Sequence, residues 1–243
     1  MPNLELSLVF PVYNEAHVLQ QTLESVLSFA SGLGPNFEII VVDDGSTDGT
    51  GLVLAGLERK HPQLRGISLH RNEGKGAALQ RGVLEAKGQK IVTLDVDLST
   101  DLEAIPRALM GLEEGYAVVF GDRHHPQSRI ARRQSRFREQ AGRLFNGAAK
   151  RLVWNQVRDY TCGFKAYRRE AAKQLFENLC IARWAFDVEL FAIAKARCMK
   201  VHGIPVRWGN HADTKVRLPQ DALRALADLL NIVVRARLGN YNG

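Results

Sequence analysis

Long apolar runs are missing from this 243-residue chain. Nothing in it approaches the roughly 18 consecutive apolar residues of a spanning helix, so none is expected. The start, Met1-Pro2-Asn3-Leu4-Glu5, has no basic region ahead of an apolar stretch, and no signal peptide is expected either. Cysteine is scarce: Cys162, Cys180 and Cys198 are odd in number and form no CxxC pair. They read as reduced, buried thiols of a cytoplasmic protein rather than as a disulfide frame or a zinc site. Both GxxxxGK[ST] and GxGxxG are absent, which excludes those two phosphate-binding fingerprints. Repeats, low-complexity tracts and long linkers are absent too, so one domain over residues 1–243 is the economical reading.

What is present is ordinary for a folded protein: 45% hydrophobic and 24% charged residues, in a length that allows a sizeable core. The net charge of +7 favours anionic partners such as nucleotides, nucleic acid or an anionic membrane. A solubility role explains a charge of that size equally well. Nucleic acid has only this charge in its favour, because the basic segment lacks enough interleaved aromatics for stacking; no nucleic-acid partner is expected.

Strand and helix patterns alternate through the first half. Leu6–Phe10, 38–42, 66–69, 90–94 and 116–120 read as strands. Helical spacing covers Ala16 to Phe29, Thr47 to Lys60, Ala77 to Ala86 and 102–114. This is the α/β class, with a mostly parallel central sheet flanked by helices. The second half changes character. Arg129, Arg132, Arg133, Arg136, Arg138, Arg143, Lys150 and Arg151 face one acid, Glu139, which fits a basic amphipathic helix. A membrane surface and plain solvent both suit it. From Pro219 to Leu238, Leu223, Leu226, Leu229, Leu230, Val233 and Val234 recur at helical intervals, giving a helix that packs on the domain or anchors at an interface.

Two apolar strands run into pairs of aspartates: Ile39–Val42 into Asp43-Asp44-Gly45-Ser46, and Ile91–Leu94 into Asp95-Val96-Asp97. Such strands place carboxylates at the carboxyl edge of the sheet, where open α/β folds bind ligands. In an extended segment neighbouring carboxylates project to opposite sides, so one can face a cation and another a different part of the ligand. Oxygen ligands suit Mg²⁺ or Mn²⁺, which also bind substrate phosphates. Pro11 truncates the first strand and frees Tyr13 and Glu15 for a base or ribose. Ser46 or Thr47 reads as a cap of the next helix, and Asp48 as its acidic first turn. Lys75, in the Gly74-Lys75-Gly76 loop, is placed for a donor phosphate.

Pro11–Glu15, Val41–Thr50, Asn72–Gly82 and Asp95–Asp97, in this order and spacing, resemble the family 2 inverting glycosyltransferases of GT-A fold. The resemblance continues through Gly121-Asp122-Arg123, Asp159–Lys165, Arg183–Leu190 and Asp213–Val216, where it narrows to the dolichyl-phosphate glucosyltransferases and their polyprenyl-phosphate relatives. It implies a nucleotide-sugar half over 1–123, a basic helical acceptor-side half over 124–218, and a C-terminal amphipathic helix over 219–238. It also implies roles at matching positions. Pro11, Tyr13, Glu15, Val42 and Asp44 would line the nucleoside pocket. Asp95, Val96 and Asp97 form the DxD element, with Asp97 as direct metal ligand and Asp95 toward the ribose and diphosphate. Ser99 stands where relatives have a further polar contact. Arg123 and Arg138 would hold the acceptor phosphate and, with Asp97, carry catalysis. His211 and Lys215 would lie on an acceptor-side loop closing over sugar and phosphates. The chain departs from the pattern at Asp122, usually serine or threonine, at Val96, usually alanine, and in lacking the membrane spans of many relatives.

The reaction class turns on the acceptor. Most inverting transferases need a general base for a sugar hydroxyl, whereas a phosphate monoester, with a second pKa near ~6, arrives already ionised. The resemblance points to glucose moving from UDP-glucose to a polyprenyl (dolichyl or undecaprenyl) phosphate, at the cytoplasmic face of an anionic membrane. Three alternatives stand beside it: another donor such as GDP-mannose; a hydroxyl acceptor, with Asp159 or Asp187 as base; and a catalytically idle nucleotide-sugar sensor. Asp187 and Glu189 suit either sugar contacts or a structural carboxylate pair ahead of a helix over 188–197.

Overall fold

Strands β1 (Leu6–Val12) and β2 (Phe37–Asp43) are buried almost throughout, on both faces, as unbroken apolar runs require. They pair in parallel, Leu6 opposite Phe37 through Val12 opposite Asp43. The computed structural model describes residues 4–132, 136–209 and 220–242. Within them β3 (Leu64–Ser68), β4 (Lys90–Thr93), β5 (Val118–Asp122), β7 (Lys165–Arg168) and β8 (Val201–Pro205) complete a seven-stranded sheet in the order β3-β2-β1-β4-β7-β5-β8. Only β7 runs antiparallel to its neighbours, β4 and β5. A separate parallel ribbon joins β6 (Arg129–Arg132) to β9 (Arg207–Gly209).

Helices α1 (Ala16–Leu33), α2 (Thr50–Lys60) and α4 (Ala104–Glu113) cover one face, burying Leu19, Leu23, Leu54 and Ile105 with Leu8, Phe10, Ile39 and Val41. Helices α3 (Lys75–Glu85), α5 (Arg136–Leu152), α6 (Arg169–Glu177), α7 (Phe186–Ala196) and α8 (Gln220–Arg237) lie on the other. Their core joins Leu79, Phe176, Phe186, Phe191, Leu229 and Ile232 to Val9, Ile40, Val42 and Phe120. Emptying one such position, Leu19→Ala for example, costs about 2–5 kcal/mol.

The second half differs from a purely helical reading, because β7 and β8 enter the central sheet. The basic segment also divides. Residues 129–132 are an exposed strand and only 136–152 are helix, the arginine-rich start being held in extended form by pairing with β9.

Parallel β1, β2, β4 and β5 all end on the same edge. The antiparallel β7 begins there, so the loop before it, 159–164, reaches the same place. That edge collects Tyr13, Asp44, Asp95, Asp97, Arg123 and Asp159.

Candidate active site

The first aspartate pair divides its work. Asp43 Oδ1 accepts the Ser46 amide at 2.9 Å, closing the turn after β2. Asp44 reaches across to the loop ahead of α3, accepting the Glu73 amide (2.7 Å), the Gly74 amide (2.9 Å) and the Asn72 side chain (3.0 Å). Burial outweighs these donors and holds its carboxyl above the ordinary value. Asp44 therefore shapes the loop ahead of α3, and much of its hydrogen-bonding capacity is spent there. The capping expectations are corrected in part. Gly49 precedes α2, and Asp48 serves two helices, accepting Thr50 N for α2 and Ala16 N for α1. Ser46 Oγ accepts Asn14 N rather than capping the next helix.

Pro11 and Tyr13 are half-buried at the end of β1, and Glu15 is the residue before α1. Val42 has no exposure and packs in the core. Its side chain is therefore spent on the core and is not open to a ligand at the sheet edge, which corrects its place among the nucleoside-lining residues. Val96 is likewise a core residue, its carbonyl accepting the Thr22 hydroxyl.

The second pair is not extended. β4 stops at Thr93, and the chain turns through 95–98, with Leu98 N bonded to Asp95 O and Leu98 at φ +49°. This corrects the expectation of an extended segment: the turn follows because the strand pairing ends before Asp95. Asp97 accepts both the amide (2.9 Å) and the hydroxyl (2.8 Å) of Ser99. Ser99 therefore orients Asp97. Asp95 accepts Lys75 Nζ at 2.5 Å. Burial disfavours the Lys75 charge, but Asp95 and Asp187 more than restore it and raise its pKa. Asp95 also fixes the identity of Gly163: a Cβ there would lie 2.1 Å from Asp95 Oδ2.

Arg123, at the end of β5, is held by one carboxylate. Its Nε donates to Asp159 Oδ2 (2.7 Å), its Nη2 to Asp159 Oδ1 (2.8 Å) and Thr161 Oγ1 (2.7 Å), and its amide to Asp159 as well. Its guanidinium lies 5.2 Å from the centre of the Trp208 ring. Burial alone would raise the Asp159 carboxyl; Arg123 overrides it and holds the group below its ordinary value. Asp122, beside Arg123, turns away toward the His124 amide and Arg158.

Asp187 forms a nearly closed pair with Lys165, Nζ to Oδ1 at 2.6 Å. Burial, opposed by Lys165 and Lys75, leaves its carboxyl above the ordinary value. Glu189 is completely buried and accepts the Cys180 and Ile181 amides and the Tyr241 hydroxyl. It is structural. The side chain of Arg138, and His211 and Lys215, lie outside the described residues.

The crevice thus unites Lys75, Asp95, Asp97, Asp187, Lys165, Arg123 and Asp159. Among the described residues no three His, Cys, Asp or Glu side chains gather as a metal cage. Two neighbouring carboxylates without nitrogen or sulfur suit a hard cation such as Mg²⁺ or Mn²⁺, which takes its remaining ligands from water and substrate phosphate. Sequence reasoning missed the Lys75–Asp95 and Lys165–Asp187 pairs, and the contacts of Thr161 and Trp208 with Arg123. No local pattern marks partners 20 to 85 positions apart, although the glycine at 163 was a visible trace of one close approach.

Comparisons with known proteins agree with this fold. Residues 7–176 match the family model described as Glycosyl transferase family 2. The chain is 35% identical over 253 residues to the dolichyl-phosphate beta-glucosyltransferase of Drosophila melanogaster, covering 99% of this chain and 78% of that protein. It is 34% identical over 253 residues to the human protein of that name, with the same coverage. Against Dolichyl-phosphate beta-glucosyltransferase ALG5C of Trichomonas vaginalis it is 33% identical over 241 residues, covering 95% and 71%. Among solved structures it resembles glucosyl-3-phosphoglycerate synthase from Mycobacterium tuberculosis in complex with Mn²⁺, UDP and glucosyl-3-phosphoglycerate. There the TM-score is 0.67 at 22% identity, with 95% of this chain and 80% of that one covered. A glycosyltransferase is the class that the fold and the family match define, and its fold is GT-A. The chain belongs to glycosyl transferase family 2.

Proposed function

We propose that the protein transfers glucose from UDP-glucose to a polyprenyl phosphate with inversion, giving a β-linked lipid phosphate sugar. The observation that carries the acceptor is the state of the two candidate bases. Asp159 is fully buried and bound to Arg123, and Asp187 is paired to Lys165. Neither is free to take a hydroxyl proton. A phosphate needs no base and needs a cation, and Arg123 keeps its Nη1 without a partner among the described residues. The names of the dolichyl-phosphate relatives supply the sugar and the lipid class.

In this reading residues 1–123 hold the donor, with Tyr13, Glu15 and Asp44 toward the nucleoside and Lys75 and Asp95 toward the diphosphate. Asp97, held by Ser99, and Asp95 would hold Mg²⁺ or Mn²⁺. The bound cation neutralises charge on the leaving diphosphate. Residues 124–218 hold the acceptor. Arg123, with Arg138, His211 and Lys215 as further phosphate contacts, seats the anionic nucleophile beside an anionic donor. A phosphate oxygen attacks the anomeric carbon in line, the bond from that carbon to the UDP oxygen breaks, and its electron pair leaves with UDP. Lys75 stands beside the leaving group as a fixed cation.

The lipid acceptor implies contact with a membrane, and the surface of α8 supports that contact. Leu229, Ile232 and Val233 pack on the domain, while Leu223, Leu226, Leu230 and Val234 stay exposed in a stripe beside Arg237. No described helix is long and apolar enough to cross a membrane. The stripe supports a peripheral position on a membrane surface, which this reading takes to be the anionic cytoplasmic face. The test is incubation with Mn²⁺ or Mg²⁺, a panel of labelled nucleotide-sugars and a short polyprenyl phosphate, followed by solvent extraction. Label entering the lipid phase from UDP-glucose is expected. An unlabelled lipid phase with every donor would refute the reading.

A further inference from the structure

Immediately ahead of α7, the chain makes a tight turn from Ile181 to Phe186 against the start of α3. Ala77 N donates to Ala182 O at 3.0 Å, and Phe186 N donates to Arg183 O. The contact is close enough to require glycine twice. A Cβ at Gly74, at φ +113°, would lie 2.6 Å from Ala182 O. One at Gly76 would lie 2.7 Å from Ile181 O and 2.8 Å from Phe186 Cβ. From below, Glu189 holds the amides of Cys180 and Ile181. The turn is therefore fixed relative to Lys75, and it carries one large aromatic outward. Ala185 and Phe186 are buried, whereas Trp184 is 36% exposed. Lys75 Nζ lies 5.9 Å from the centre of its ring and 2.5 Å from Asp95.

Indole, ammonium and carboxylate thus stand in series at the crevice. The ammonium and the Asp95–Asp97 element mark where a diphosphate would lie, and a donor hexose hangs from its outer phosphate by a single oxygen. A ring this close to Lys75 is within reach of that hexose. Besides the Lys75 cation at 5.9 Å, about a third of Trp184 is exposed at 36%, and leaving that apolar surface in water is unfavourable. A pyranose with all hydroxyls equatorial presents two flat C–H faces, which suit an indole, while an axial hydroxyl spoils one of them. We propose that Trp184 is the stacking platform for the donor's hexose and favours an all-equatorial sugar. This inference rests on the donor reading above.

The experiment is calorimetric binding of UDP, UDP-glucose and UDP-galactose, each with Mn²⁺, to the full chain and to Trp184→Ala and Trp184→Phe. In Trp184→Ala, UDP-glucose should bind about tenfold more weakly, the scale of one aromatic contact. UDP affinity should stay unchanged, and the preference for glucose over galactose should shrink. Trp184→Phe should keep most of the difference. Equal weakening of UDP and UDP-glucose would show that the ring acts only through Lys75 and its loop, and overturns the proposal, as does unchanged UDP-glucose affinity. A loss of vesicle binding with unchanged sugar preference would place the ring at a membrane and overturns it as well. Failure of the unaltered protein to bind UDP at all would overturn the donor reading itself, a result distinct from any of these.

Discussion

Arg123 and Asp159 are joined by a two-pronged ion pair, Nε to Oδ2 at 2.7 Å and Nη2 to Oδ1 at 2.8 Å, with the arginine amide on the same carboxylate. The pair has two consequences. It removes Asp159 as a free base, and it gives Arg123 a structural role beside its proposed one as the phosphate seat. Arg123→Ala leaves a buried unpaired carboxylate and should cost about 3–5 kcal/mol of stability. Adding Asp159→Asn should return most of that stability. Transfer to polyprenyl phosphate should stay lost in the double variant while UDP-glucose binding survives. Unfolding curves and transfer assays on the three variants decide it; recovery of transfer along with stability would show that Arg123 is structural only.

The same pair predicts a pH dependence. The Asp159 carboxyl is held below its ordinary value in the folded protein. It therefore contributes stability that is fully present above the unfolded value of about 3.9 and is lost as pH falls through the lowered native value. Denaturant unfolding between pH 6 and pH 3 should show a shallower acid loss in Asp159→Asn than in the parent chain. An identical slope would contradict the assignment.

Asp97 is oriented by Ser99 and forms no direct ion pair among the described residues, unlike Asp95 with Lys75. Asp97→Ala should abolish turnover and the metal dependence of UDP binding without unfolding the chain. Circular dichroism and UDP titrations with and without Mn²⁺ check this. Retained activity would remove Asp97 from the metal.

Gly163→Ala places a methyl 2.1 Å from Asp95 Oδ2. It should displace that carboxylate from Lys75 and weaken UDP binding at least about tenfold, a cost of about 1.4 kcal/mol. Unchanged UDP affinity would show that the Asp95 position is unimportant to the donor.

On α8, Leu223 and Leu230 are exposed at 70% and 56%. Changing both to Ser should leave thermal stability nearly unaltered and reduce flotation with anionic vesicles. Burying one leucine in a membrane contributes about 1.5–3 kcal/mol, so the partition should fall by at least about tenfold. Undiminished flotation would remove the stripe from the membrane.

Legibility in the sequence tracks distance along the chain. The βαβ half was readable because its strands are apolar runs and its helices keep their period, although β1 continues through Pro11 to Val12 where Pro11 was expected to end it. β7 and β8 were not. Lys165–Arg168 mixes two cationic residues into four, and its strand character comes from lying between β4 and β5. Arg123, Asp95 and Asp97 could be named from motif resemblance, and the structure places them on one sheet edge. Val42 could not be judged from its neighbourhood in sequence, because strand alternation alone does not say which face is core when both are. The partners of Arg123 and Lys75 lie 36 and 20 positions away, beyond any local period.

The claim that organises the site is an acceptor that brings its own negative charge and so needs no base. Its most direct test gives the protein UDP-glucose labelled in the sugar and two acceptors of the same chain length, a polyprenyl phosphate and the corresponding free polyprenol. Label should enter the phosphate as a β-glucosyl phosphate and should not enter the alcohol. Comparable transfer to the alcohol would require a base that neither Asp159 nor Asp187 supplies, and would contradict the account.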